Sequence, residues 1–126
     1  LIILSAVDPL LAFDLYQAAN DLNIASIIEV HSKKEAEESL KFEKSLIGIN
    51  NRNLNTFAVS LNTTLDLSLI LKSHRLPIIC ESGIKNENDI KFIIKNTGIY
   101  NFLIGESLLK SQSISSSMKK IAQISQ

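Results

Sequence analysis

The segment Leu46-Ile47-Gly48-Ile49-Asn50-Asn51-Arg52 is an apolar run that changes abruptly to polar side chains. Short apolar runs of the same kind recur at residues 1–4, 26–30, 77–80 and 102–104. A polar or amphipathic stretch of helical period separates each run from the next. Because the runs hardly alternate with polar residues, they favour strands of a parallel sheet that are covered on both faces.

Helix boundaries between these runs are marked by capping residues. Asp8 before Pro9 predicts the start of a first helix, and Ser32 opens a capping box that predicts a second. Asn86 and Gly98 predict the two ends of a further helix, and residues 63–71 are expected to be helical too. The apolar stripe predicted for the first helix consists of Leu11, Leu15, Ala18, Ala19 and Leu22. A last helix is expected at Ile114, Met118, Ile121 and Ala122.

The length of the chain leaves two α/β architectures open. Eight βα units make a TIM (β/α)8 barrel of about 250 residues, and this chain has 126 residues with five strand-like runs. It would then be roughly half of such a barrel, and residues 1–126 form one partial barrel domain. A complete five-stranded doubly wound domain is the alternative. Because the first residue is Leu1 and opens directly into an apolar run, we expect the chain to be truncated at its start.

Composition excludes several classes of function. Thirteen Lys and Arg residues balance thirteen Asp and Glu residues, so no basic surface is expected to bind nucleic acid. No apolar run approaches the length of about 18 residues that a membrane helix needs, and no leader sequence is evident. We therefore expect a cytoplasmic protein without membrane contact. No cluster of His, Cys and Asp has the spacing of metal ligands, so no metal site is predicted.

Polar side chains follow several predicted strands, where parallel α/β sheets carry their functional groups. Alternation along a strand places Glu29, Asn50 and Glu81 on faces that converge if the strands curve into a barrel. Solvated strand caps are the simpler alternative. No lysine stands at a strand end and Arg52 is the only basic residue near one, so the counter-charge for two carboxylates is missing. His31 is interpreted as a hydrogen-bonding turn residue rather than a catalytic base.

Glycines after the fourth and fifth runs indicate a second kind of site. Gly83 follows Ser82, and Gly105 precedes Glu106, each just past a strand. Glycine at such a position lets backbone N–H groups approach an anion closely, so the pair predicts a phosphate site. Gly48, within a strand, is expected to make room for a bulky neighbour or a ligand.

The strand ends as a set resemble a known family. The stretches at residues 28–31, 47–54, 81–84 and 102–108, above all the segment from Gly48 to Phe57, are similar to the carboxyl-terminal part of indole-3-glycerol phosphate synthase. The resemblance runs from that family's fourth strand to its last helix. It implies the C-terminal half, about five βα units, of a TIM barrel. It also implies closure of the indole ring of 1-(2-carboxyphenylamino)-1-deoxyribulose 5-phosphate in tryptophan biosynthesis, with loss of carbon dioxide and water and without a cofactor or metal.

The resemblance also implies a role for each strand-end residue. Glu29 matches a glutamate used in acid–base chemistry, Asn50 an asparagine that binds the reacting substrate, and Glu81 a glutamate that orients a catalytic lysine. Glu106 stands where some members have serine, so its backbone N–H is the more secure part of the match. The substrate-binding and phosphate-binding positions implied by the family are Arg52, Ser82, Gly83, Gly105 and Glu106.

The family's essential lysines have no counterpart in this chain, because they lie on the first and third strands. The chain alone is therefore expected to be nearly inactive, and its open sheet edges are expected to bind the absent amino-terminal half-barrel or to self-associate. Two alternatives stay open. One is another phosphate-binding barrel enzyme such as phosphoribosylanthranilate isomerase, and the other is an inactive half-barrel that serves as a binding or assembly module.

Overall fold

The computed structural model describes residues 1–124, so residues 125 and 126 of the predicted domain lie outside the described part. Five strands form one sheet, and each of the five lies within one residue of a predicted apolar run at both ends. The strands are β1 (Ile2–Ile3), β2 (Ile27–Val30), β3 (Leu46–Asn50), β4 (Ile78–Glu81) and β5 (Asn101–Leu103).

Helices connect the strands and begin at the predicted caps. The Asp8 carboxylate accepts hydrogen bonds from two backbone N–H groups, the Ser32 hydroxyl accepts one from Glu35, and Gly98 ends its helix with φ +71°. No helix within residues 1–124 is long and apolar enough to cross a membrane. The helices are α1 (Pro9–Asp21), α2 (Lys33–Ser39), α3 (Asn62–Ile70, continued by a 3-10 turn at Leu71–Ser73), α4 (Glu87–Thr97), α5 (Glu106–Leu109) and α6 (Ile114–Ile124).

The order of the strands decides between the two predicted architectures. All four neighbouring pairs are parallel, and the strands follow one another across the sheet in chain order from β1 to β5. A doubly wound sheet instead reverses its order at a switch point. Right-handed crossovers in one constant direction place the helices on the same face of the sheet. The prediction of a partial TIM barrel is therefore confirmed, and the doubly wound alternative is wrong.

The two faces of the sheet differ in chemistry. Ile28, Val30, Ile47 and Ile49 are fully buried and form the core with side chains from the helices. The alternating residues on the opposite face include the polar strand ends. Within the described chain, helices therefore cover only the apolar face of the sheet. The face that carries the polar strand ends is not covered by helices, so the prediction of cover on both faces is wrong for that face.

The buried stripe of α1 differs from the prediction. Leu11 and Leu15 are 44% and 43% exposed, whereas Ala12 and Tyr16 are buried. The Tyr16 ring packs edge-on against Phe42 with centroids 5.2 Å apart, and its hydroxyl accepts a hydrogen bond from the backbone N–H of Lys44. The sequence offered two apolar stripes, and the aromatic contact with Phe42, in the segment between α2 and β3, favours the stripe that contains Ala12 and Tyr16. The short helix α5 was not predicted, because four residues carry too little periodicity to recognise.

Candidate active site

Three polar side chains meet at the carboxyl-terminal ends of β2, β3 and β4. The register pairs Asn50 with Glu81 and Glu29 with Gly48, so the three polar residues lie on one face of adjacent strands. Nδ2 of Asn50 donates a hydrogen bond to Oε1 of Glu29 at 3.0 Å. Glu29, Asn50 and Glu81 are all buried. The structure therefore brings together the three residues that strand alternation placed on converging faces, and they are not solvated caps.

Both ends of the Asn50 side chain are held. Its Oδ1 accepts a hydrogen bond from the backbone N–H of Arg52 at 2.9 Å, which closes a tight turn directly after β3. The amide nitrogen therefore has to point toward Glu29. A neutral donor that is fixed in this way orients the Glu29 carboxylate without neutralising it.

The two buried carboxyls of this cluster influence one another. Burial raises the pKa of Glu81 to about 7, and the neighbouring Glu29 carboxyl acts in the same direction. Within residues 1–124, Oε1 of Glu81 has no hydrogen-bond partner. Two adjacent carboxylates in a site of low polarity cannot both be ionised cheaply unless a cation joins them. The cluster thus has the lack of counter-charge that the sequence indicated.

Gly48 makes the cluster possible. A Cβ atom at this position would overlap Oε1 of Glu81 and lie 2.8 Å from its Cδ. The Glu81 side chain therefore lies across the β3 backbone in the space that any larger residue would fill. This confirms the expectation that Gly48 makes room for a bulky neighbour.

The residues predicted to bind substrate and phosphate line one cavity of about 540 Å³ beside the cluster. Ser82 and Gly83 have φ of +61° and +84°, so the chain turns sharply after β4. A Cβ at position 83 would lie 2.8 Å from Cγ1 of Val59, which leaves glycine as the residue that fits. The lining of this cavity includes the predicted residues Arg52, Ser82, Gly83, Gly105 and Glu106.

Two lysines that the sequence analysis overlooked also line this cavity. Lys85 and Lys110 follow the strand ends by several residues, so reading only the last residues of each run did not reveal them. Arg52 is therefore not the only basic residue near the strand ends. These cations would suit an anionic ligand in this cavity.

Glu106 links two of these cations. Its carboxylate oxygens lie 2.6 Å from Nη2 of Arg52 and 2.6 Å from Nζ of Lys110. The Lys110 ammonium and then the Arg52 guanidinium lower the pKa of Glu106. The carboxylate is exposed, so an anionic ligand could replace it on Arg52.

His31 also contacts the buried cluster, which the sequence analysis did not predict. Its Nε2 lies 3.1 Å from Oε1 of Glu29. Its backbone N–H donates to Oε2 of Glu35 at 2.8 Å, so His31 is also the hydrogen-bonding turn residue that the capping box indicated. No group of three or more His, Cys, Asp or Glu residues within 1–124 is arranged to hold a metal ion.

Comparison with known proteins decides the family. The model of the indole-3-glycerol phosphate synthase family matches residues 1–121. The chain belongs to the indole-3-glycerol phosphate synthase family. An indole-3-glycerol phosphate synthase from Delftia acidovorans is 36% identical over 121 residues, which are 96% of this chain and 45% of that relative. The chain therefore spans about half the length of the curated relative that it matches.

The family match confirms the resemblance that the strand ends indicated. Indole-3-glycerol phosphate synthases are TIM-barrel proteins of tryptophan biosynthesis, in agreement with the sequential parallel sheet. Nothing in these matches favours phosphoribosylanthranilate isomerase, the other enzyme considered above.

Proposed function

We propose that this chain supplies the carboxylate half of an indole-3-glycerol phosphate synthase active site. The enzyme would be a carboxy-lyase that closes the indole ring of 1-(2-carboxyphenylamino)-1-deoxyribulose 5-phosphate and releases carbon dioxide and water. The observation that carries the proposal is the buried cluster of Glu29, Asn50 and Glu81 beside a cavity with basic residues, in a chain of this family.

Glu29 is the proposed acid–base residue of the reaction. Ring closure and dehydration both require protons to move at defined atoms, and a carboxylate that is held in place can accept and return them. The Asn50 amide orients Glu29 through the 3.0 Å hydrogen bond. Asn50 would also contact the reacting part of the substrate, because it lies on the same face.

Glu81 is proposed to hold a lysine that this chain does not contain. Its unpartnered Oε1 and raised pKa are what a carboxyl shows when its cationic partner is absent. An ammonium group beside Glu81 would allow both carboxyls to ionise and would itself be positioned as a proton donor. We propose that further barrel strands supply this lysine and complete the domain.

The cavity beside the cluster is proposed to bind the phosphate of the substrate. Ser82 and Gly83 turn the chain with positive φ angles, a conformation in which backbone N–H groups can face an anion, and no atom lies within 4 Å of a Cβ built on Gly105. Lys85 and Arg52 add positive charge to the same cavity. The Arg52 guanidinium would release the Glu106 carboxylate and bind the carboxylate of the substrate instead.

Apolar side chains at both edges of the sheet suit contact with the rest of a barrel. Leu10 is 79% exposed on α1, beside the edge strand β1, and Leu103 is 58% exposed in the opposite edge strand β5. We propose that these edges bind an amino-terminal half-barrel, and that the chain self-associates when none is present. The phosphorylated substrate suggests a cytoplasmic site of action.

The test uses this chain mixed with the amino-terminal portion of the Delftia acidovorans relative, which we call the two-part enzyme. We expect the mixture to form indole-3-glycerol phosphate and each part alone to be nearly inactive. Glu29→Gln should lower kcat of the two-part enzyme by about 10²-fold or more with a smaller change in KM.

Two results would contradict the proposal. Tight binding of a phosphate ligand by the assembled parts without turnover would indicate a binding module instead. Full turnover of the Glu29→Gln variant would remove Glu29 from the mechanism. Glu43→Gln is a matched control, because Glu43 is exposed and lies just before β3, at the opposite end of the sheet from the cluster.

A further inference from the structure

We propose that Asn51 is a positioning residue that holds the turn after β4, which consists of Ser82 and Gly83, in the conformation that binds phosphate. This inference rests on the proposed function, because it concerns the cavity in which the phosphate of the substrate would bind. Asn51 follows β3 directly and is not among the residues that line this cavity. It would therefore act on the phosphate through the turn.

The side-chain amide of Asn51 reaches the carbonyl oxygens at the end of β4. Its Nδ2 donates hydrogen bonds to the backbone oxygen of Glu81 at 3.0 Å and to that of Ser82 at 3.1 Å, and it lies 3.3 Å from Sγ of Cys80. The Glu81 oxygen also accepts the backbone N–H of Asn51 at 2.9 Å. Glu81 thus keeps a backbone donor without the amide, and the loss of the amide would fall mainly on Ser82.

The orientation of this amide is fixed from its other end. Oδ1 of Asn51 accepts a hydrogen bond from the backbone N–H of Thr64 at 3.0 Å and another from the Thr64 hydroxyl at 2.8 Å. Asn51 is only 2% exposed, so water does not compete for these bonds. Since an amide carries its acceptor and its donors on different atoms, the two bonds to the oxygen direct the nitrogen toward the turn.

The turn needs such support because its backbone conformation is unusual. Ser82 has φ +61°, in the left-handed region that residues other than glycine rarely adopt, and Gly83 follows with φ +84°. Such a conformation persists where the surrounding structure fixes it. Backbone N–H groups in this kind of turn can face an anion. The geometry of the phosphate site therefore depends on the bond from Asn51 to the Ser82 carbonyl.

The first test measures phosphate binding by the chain itself. The chain contains four glycines, so labelling with nitrogen-15 glycine gives four backbone NMR signals, which Gly48→Ala, Gly98→Ala and Gly105→Ala assign. At constant ionic strength, we expect inorganic phosphate to shift the signals of Gly83 and Gly105 and to leave that of Gly98, at the end of α4, unchanged. The absence of a response at Gly83 in the unmodified chain would overturn the proposal.

Removing the amide should weaken this binding. We expect Asn51→Ala to raise the Kd for inorganic phosphate by about tenfold, the factor for one hydrogen bond to a charged group. An unchanged Kd in this variant would overturn the proposal. If Asn51→Ala does not fold, Asn51→Ser replaces it, because serine keeps a polar group at the buried position but is too short to place a donor where Nδ2 stands.

The second test separates binding from turnover in the two-part enzyme. Asn51→Ala is expected to raise KM by about tenfold and to change kcat by less than about threefold, because a phosphate that does not react is held equally in the ground state and the transition state. A fall in kcat with an unchanged KM would overturn the proposal.

Thr64→Val is the matched control. It removes one hydrogen bond from the same buried network, while the backbone N–H of Thr64 still holds Oδ1 of Asn51. The Kd for phosphate and KM should therefore stay within about twofold of the unmodified values. Equal increases in Thr64→Val and Asn51→Ala would indicate a general loosening of the fold and would overturn the proposal. If the unmodified two-part enzyme is inactive, the proposed function fails, while the phosphate titration still decides the role of Asn51.

Discussion

Substituting alanine for Gly48 tests whether the position of Glu81 matters for the site. A Cβ at residue 48 would overlap Oε1 of Glu81, lie 2.8 Å from its Cδ and approach Cγ2 of Ile27 at 3.2 Å. Carbon atoms pack comfortably at about 3.5 Å, so the carboxyl has to withdraw by roughly 0.7 Å at Cδ and by more at its oxygen. The carboxyl is the free end of a flexible side chain, so we expect it to move and the strands to stay.

The expected effect is large on turnover and small on stability. Replacing glycine in a strand by alanine restricts the unfolded chain and gains about 0.5–1 kcal/mol, which offsets part of the crowding. The free energy of unfolding, measured in urea, should therefore change by no more than about 1 kcal/mol. A shift of about 1 Å in a reacting group costs about 10²-fold, so kcat of the two-part enzyme should fall by about that factor.

Gly98→Ala is the matched control. Gly98 has φ +71° and no atom lies within 4 Å of a Cβ built on it, so alanine there strains the backbone without touching the site. It should lower the free energy of unfolding by about 1 kcal/mol and leave kcat unchanged. Full kcat in Gly48→Ala, together with an unshifted carbon-13 NMR signal of the Glu81 side-chain carboxyl, would show that residue 48 does not position this carboxyl.

Three further predictions concern the same region. The free energy of unfolding should fall by roughly 3 kcal/mol as pH rises from 4.5 through about 7, because Glu81 binds its proton more tightly in the folded chain. Glu81→Gln should flatten this dependence, and a flat profile in the unmodified chain would contradict it. Asn51→Ala should lower the free energy of unfolding, measured in urea, by about 2–3 kcal/mol, because the buried amide oxygen of Asn51 accepts two hydrogen bonds from Thr64. An unchanged midpoint would show that these bonds are replaced. Glu106→Gln should leave the urea midpoint unchanged, since exposed ion pairs contribute little, and a clear drop would disprove this.

Local sequence patterns were enough to predict the strands and most of the helices. Apolar runs and capping residues depend on groups within a few positions of one another. Asp8, Ser32 and Asn86 could therefore be predicted as helix N-caps, and the structure confirms all three. The period-two alternation of strands likewise placed Glu29 and Glu81 on converging faces. The family resemblance narrowed the fold to a barrel, and the sequential order of the strands agrees with it.

Choices between equivalent local patterns required the folded chain. The first helix has two apolar stripes, and only the packing of Tyr16 against Phe42 shows that the stripe with Ala12 is the buried one. Lys85 and Lys110 are separated by 25 positions in the sequence, and the turns after β4 and β5 bring them to one cavity.

The sequence by itself determined the βα rhythm, the caps and the identity of the polar strand ends, because each depends on residues close in the chain. Tertiary structure alone decided that the Glu81 carboxyl occupies the space above Gly48 and that Glu106 reaches Arg52. These contacts join side chains from different strands and loops. Their distances depend on sheet register and turn geometry, which no local pattern of residues encodes.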